Sequence, residues 1–128
     1  MSLNVLVVDD SAVMRAMVIR TLHMAGLPIG EVHQAGNGSE ALAVLEKHWV
    51  DLALVDINMP IMNGEELIER IRQRPATADL PIIVISTEGS QTRIERLQQK
   101  GALFIHKPFA PETIQQIITS ITEVAHGG

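Results

Sequence analysis

The 128 residues contain no cysteine. A disulfide framework and a thiolate metal site are thereby excluded, and a reducing compartment suits the chain. No apolar run approaches the roughly 18 residues that a membrane-spanning helix requires. The N-terminus also lacks the basic stretch and long apolar segment of a signal peptide. Positive charge is scarce. Ten lysines and arginines stand against 15 aspartates and glutamates, for a formal charge of -5, a poor match to a nucleic-acid backbone or an anionic membrane as main partner. Repeats, linkers and low-complexity tracts are lacking as well. With hydrophobic residues at 46%, disorder is excluded, and a chain of this length can bury a real core. The expectation is one cytoplasmic domain over residues 1–128, with its core from Leu3 to Val124.

Four continuous apolar runs stand out: Val5–Val8, Leu52–Val55, Ile82–Ile85 and Leu103–Ile105. Continuity rather than alternation marks strands buried on both faces of a parallel sheet. A weaker run, Glu31–Ala35, reads as a fifth strand nearer an edge. Between the runs lie segments of helical period. Ser11–Ala25 places Val13, Met14, Met17, Val18 and Leu22 on one side, and Ser39–His48, Glu65–Gln73, Thr92–Lys100 and Pro111–Val124 follow. At this spacing Met14 and Met17 read as core, and Trp49 as packing at the end of the second helix. The five histidines show no metal-ligand spacing and read as surface or cap residues. Strand followed by helix, five times over, describes an α/β protein: a doubly wound (βα)5 parallel sheet with helices on both faces. Gly26, Gly36, the pair Asn63-Gly64, Gly101 and Pro108 fall between the elements.

In such sheets ligands bind beyond the carboxyl ends of the strands, where strand order reverses. Asp9 and Asp10 follow the first strand, Asp56 the third, Ser86 and Thr87 the fourth, and Lys107 the fifth. Each alone has an ordinary explanation. The Asp pair can be a solvated helix cap, Asp56 a turn residue, Ser86 or Thr87 a cap of the next helix, and Lys107 a surface loop. Their coincidence at four strand ends points instead to a cation and phosphate site. With the strands in the order 2-1-3-4-5, the first and third are neighbours and three carboxylates share one crevice. Two carboxylates about 5 Å apart repel by about 3 kcal/mol at an effective dielectric near 20. One lysine offsets only part of the charge. A divalent ion offsets the rest, and a small set of oxygen ligands favours Mg²⁺.

Five stretches, VLVVDDSAVMR, GNGSEALAVL, LALVDINMPIMNGEELIERIR, PIIVISTE and GALFIHKPF, together resemble the receiver domains of two-component response regulators. The resemblance implies a flavodoxin-like sheet of order 2-1-3-4-5. It implies that Asp56 accepts a phosphoryl group from a sensor histidine kinase or a phosphotransfer protein. Mg²⁺ would be held by Asp10, Asp56 and the backbone carbonyl of Asn58, with Asp9 acting through metal-bound water. Lys107 would pair with Asp56 and then with the phosphoryl group, and Ser86 would donate a hydrogen bond to a phosphoryl oxygen. Phe104, three residues before the lysine, occupies the position of the switch aromatic. Such a protein is regulatory rather than enzymatic, apart from catalysing its own phosphorylation from small donors and its own dephosphorylation. With no output domain in the sequence, it would act by binding a target protein. DDSAVMR is similar to stand-alone chemotaxis regulators, whose target is the flagellar motor switch.

Two other readings compete. An aspartyl phosphohydrolase of the haloacid dehalogenase type wants a general-acid Asp two residues after the nucleophile, where this chain has Asn58. A receiver-like binding module that never takes a phosphoryl group has no need for the complete set of Asp9, Asp10, Asp56, Ser86 and Lys107.

Overall fold

The computed structural model of the chain describes residues 2–57, 63–87, 89–107 and 109–125, with side chains through 121. Five strands, β1 (Leu3–Val8), β2 (Ile29–Ala35), β3 (Leu52–Val55), β4 (Ile82–Ser86) and β5 (Ala102–His106), form one sheet. Its order is β2-β1-β3-β4-β5 and each neighbouring pair is parallel. The helices are α1 (Ala12–Met24), α2 (Gly38–Lys47), α3 (Gly64–Gln73), α4 (Gln91–Gln99) and α5 (Pro111–Ala125). Among the described residues no helix is long and apolar enough to cross a membrane.

The apolar runs are continuous because each strand feeds two cores by turns. Leu6 and Val8 of β1, Ala53 and Val55 of β3, and Ile82 and Val84 of β4 pack with Leu42 of α2, Leu67, Ile68 and Ile71 of α3 and Leu97 of α4. The intervening Val5, Val7, Leu52, Leu54, Ile83 and Ile85 pack with Val18 and Leu22 of α1 and Ile114 and Ile118 of α5. Successive side chains point to opposite faces, and both faces are covered, so every position is apolar. Each such burial is worth about 1.5–3 kcal/mol, which holds the register that fixes the strand ends.

Helix starts follow from short polar side chains. Ser11, Asn37, Asn63 and Ser90 each accept a hydrogen bond from the amide three residues on. Ser11 therefore caps α1 and Ser90 caps α4. The capping roles open to Asp9, Asp10, Ser86 and Thr87 are thus filled by others. Gly26 and Gly101, with φ of 72° and 81°, follow the ends of α1 and α4 in the left-handed region that favours glycine.

Two expectations about apolar residues are overturned. Met17 is 56% exposed and Val13 is more so, while in α1 only Val18 and Leu22 are buried. The helix begins above the carboxyl ends of the strands, so its first turns have little sheet beneath them. Met14 and Met17 instead line an open groove with Thr87, Lys107 and Phe109. Trp49 is 74% exposed and is held from outside by its indole N–H, which donates to Asp51 Oδ1 at 2.8 Å.

Arg72 was not singled out by the sequence, yet it ties three segments. Its Nε donates to the carbonyl of Lys100 at 2.8 Å, and its Nη1 to those of Leu80 at 2.7 Å and Ala78 at 3.1 Å. Burial draws the guanidinium pKa down, and the charge of Asp79 pulls it back up. Arg72→Met keeps the aliphatic stem and removes every donor. It is expected to destabilise the fold by about 2 kcal/mol, because water can replace part of the loss at these half-buried carbonyls. An unchanged denaturation midpoint would show that the three bonds contribute nothing net.

Candidate functional site: an acidic crevice at the carboxyl edge

Main-chain bonds between neighbouring strands bring the polar residues to one edge. The amide of Asp9 donates to the carbonyl of Ala35 at 3.1 Å, that of Asp56 to Val8 at 2.9 Å, and that of Lys107 to Ser86 at 3.0 Å. Val8 is in register with Val55, so Asp9 and Asp56, each one residue further on, emerge side by side. Asp9, Asp10 and Asp56 offer carboxylate oxygens that all lie within 4.8 Å of one another.

The three carboxylates have different surroundings. Asp9 is 4% exposed, Asp56 is half-buried and Asp10 is exposed. Asp9 Oδ1 accepts from the amide of Ser11 at 2.9 Å, and its Oδ2 stands 3.5 Å from Lys107 Nζ. The lysine thus pairs with Asp9, and Asp9, Asp56 and Lys107 line one small crevice. At 4.8 Å two carboxylates repel by about 3 kcal/mol at an effective dielectric near 20. A cluster of three, with one ammonium beside it, has the charge and the oxygen-only donor set of a hard divalent cation. On that chemistry the residues fit Mg²⁺. Asn58, whose carbonyl completes the expected ligand set, lies outside the described residues.

Ser86 is buried at the end of β4. In register it pairs with His106, and Val84 pairs with Phe104. Ser86 and Phe104 therefore share a face of the sheet, one step apart along the strands. Phe104 is half-buried against the core on the α3–α4 side and meets the ring of His106 edge-on, with centroids 4.7 Å apart and planes at 68°. On that side Glu65 joins α3 to α4, accepting from Arg96 Nε at 3.1 Å and from Lys100 Nζ at 3.4 Å. Burial raises the pKa of this carboxyl, but the two cations outweigh it and hold it below the usual value.

Three residues that bear on the crevice escaped the sequence reading. Arg15 Nη1 donates to the carbonyl of Asp9 at 2.6 Å and its Nε to Gln34 Oε1 at 3.0 Å, tying α1 to two strand ends. His106 flanks both Ser86 and Phe104. Gly64 opens α3 directly against the segment that carries Asp56. An added Cβ there would stand 2.6 Å from Ile57 Cα and 2.7 Å from the Asp56 carbonyl oxygen. The Asn63-Gly64 pair was visible only as a turn signal.

The family described as response regulator receiver domain matches residues 5–119. The chain is 34% identical over 127 residues to the chemotaxis protein CheY homolog of Campylobacter jejuni, an alignment that covers 98% of this chain and 96% of that protein. It is 34% identical over 116 residues to chemotaxis protein CheY1 of Helicobacter pylori, covering 89% and 92%. The solved structure of Vibrio cholerae chemotaxis protein CheY4 is similar in fold, with a TM-score of 0.82 at 36% identity, covering 94% of this chain and 98% of that one.

Proposed function

Since the chain belongs to the response regulator receiver domain family, we propose that it is a phosphorylation-controlled switch in which Asp56 is the phosphoacceptor. The observation that carries this reading is the meeting of three carboxylates and one lysine at adjacent strand ends. In the transfer, a carboxylate oxygen of Asp56 forms a bond to phosphorus. The phosphorus–nitrogen bond of a phosphohistidine on a sensor kinase or phosphotransfer protein breaks. The departing imidazole nitrogen keeps the bonding pair and takes up a proton.

The protein's work here is position and counter-charge. Asp10, Asp56 and the carbonyl of Asn58 would hold Mg²⁺, with Asp9 reaching it through water. Bound there, the ion supplies charge neutralisation for the phosphoryl oxygens. Lys107 already stands in the crevice against Asp9 and can turn to the phosphoryl group. That group replaces the single charge of Asp56 with about two. The hydroxyl of Ser86 is drawn toward it as a donor. The shift frees space on the face that Ser86 shares with Phe104, and the aromatic turns inward, altering the surface of α4 and β5. A target protein that binds one arrangement better than the other reads the change. The chemotaxis names of the relatives make a cytoplasmic regulator acting on the flagellar motor switch the favoured setting.

The test is direct. The protein is incubated with Mg²⁺ and a small acyl phosphate, and its intact mass is followed. One phosphoryl group per chain, appearing and then decaying, is expected, and chelation of Mg²⁺ should suppress it. Repeated turnover of phosphate esters without an adduct would make the protein an enzyme. No adduct at any donor concentration would make it a passive module.

A further inference from the structure

Two of the five histidines meet on the opposite flank of the sheet. His33 lies on β2, the outer strand beside β1, and His48 caps the C-terminal end of α2. Their rings stack with centroids 4.3 Å apart and planes at 25°. A neutral imidazole carries a lone pair that can bind a metal ion. Glu31, two residues before His33 on the same strand face, brings its Oε2 to 3.2 Å from His33 Nε2. That nitrogen is shielded from solvent and makes no hydrogen bond. A buried polar atom without a partner is uncommon, and here it faces a carboxylate and a second imidazole. One ligand atom from each of Glu31, His33 and His48 lies within 4.8 Å of the others.

We propose that Glu31, His33 and His48 form a second cation site, chemically distinct from the acidic crevice, that takes a borderline-soft divalent transition metal such as Zn²⁺. Two imidazoles and one carboxylate are a recognised Zn²⁺ donor set that leaves a fourth position for water. The crevice offers only oxygens and suits a hard ion, so ligand type sorts the two metals. Zinc wants its ligands at about 2 Å, closer than they stand here. His33 is held by its strand, while Glu31 and His48 are both exposed and can swing in to close the site. The loaded ion would clamp the end of α2 to the sheet's outer strand. Metal that binds the folded chain alone also raises its stability.

The experiment uses tag-free protein in saturating Mg²⁺, titrated with Zn²⁺ alone. Calorimetry should give one Zn²⁺ per chain, with shifts of the His33 and His48 imidazole resonances. Glu31→Gln and His48→Gln change exposed residues and leave the fold intact by circular dichroism. Each should weaken Zn²⁺ binding by about tenfold or more, while phosphoryl-adduct formation stays as in the parent. The proposal is overturned if Zn²⁺ is not taken up, or if uptake is indifferent to both substitutions. It is equally overturned if Asp10→Asn, rather than these two, removes the binding, since the zinc would then be in the crevice.

Discussion

Asp56→Asn is expected to abolish the phosphoryl adduct and, with no Mg²⁺ present, to make the fold more stable. Both effects come from one atom. The substitution is nearly isosteric and replaces a charged oxygen with an amide nitrogen. An amide is too weak a nucleophile to attack phosphorus, so the transfer has no acceptor. The same change takes one of three crowded charges out of a cluster whose oxygens lie within 4.8 Å. Lys107, which stands against Asp9, offsets part of the repulsion in that cluster. After screening by solvent at the exposed Asp10, the relief is on the order of 1 kcal/mol. Thermal unfolding in a chelator should therefore give a higher midpoint for the variant. Mg²⁺ should stabilise the parent and have a much smaller effect on the variant, since one ligand is lost. An adduct of undiminished yield would place the acceptor elsewhere. A lower midpoint without Mg²⁺ would show that the carboxylates are not in conflict.

Gly64→Ala sets two physical effects against each other. Gly64 is the first residue of α3 and is absent from the positive-φ glycines. On helix propensity alone, alanine there should help by up to about 1 kcal/mol. The close approach of α3 to the preceding strand end says the opposite. The new methyl would stand 2.6 Å from Ile57 Cα, 2.7 Å from the Asp56 carbonyl oxygen and 2.9 Å from Ile57 Cγ2. Two of the three atoms are backbone, pinned by bonds from the Asp56 amide to Val8 and from the Gly64 amide to the Ile57 carbonyl. Relief requires moving α3 or the segment that carries Asp56. The expected cost is about 3 kcal/mol, the upper end of the range for overpacking. Denaturant unfolding measures it. Phosphoryl transfer should slow as well, since the displaced residues include the acceptor. A neutral or stabilising Gly64→Ala would mean that the approach is not rigid.

The two glycines of greatest consequence show how legibility divides. Gly101 follows a run of helical period, and its left-handed backbone is what a glycine just past a helix end signals. Gly64 carries no such local mark. Its requirement comes from the backbone of Asp56 and Ile57, which only the folded chain brings against it. The helix periods have the same limit. α3 buries Leu67, Ile68 and Ile71 on the face its spacing marks out, but α1 leaves Met17 and Val13 outside. Periodicity says which residues share a side of a helix, and not how far the sheet extends beneath that side.

Order along the chain determined the sheet. Apolar runs alternating with amphipathic ones admit a parallel, doubly covered sheet, and whatever follows a run must stand at the carboxyl edge. The carboxylates, the serine and the lysine were therefore legible as a set before any coordinates. Their neighbours were not. Lys107 against Asp9, Arg15 on Gln34, and His33 stacked on His48 all depend on distances between residues remote in sequence. Those distances follow from how two faces of helices settle on one twisted sheet. Local pattern carries the chemistry of each side chain, and packing alone decides which side chains meet.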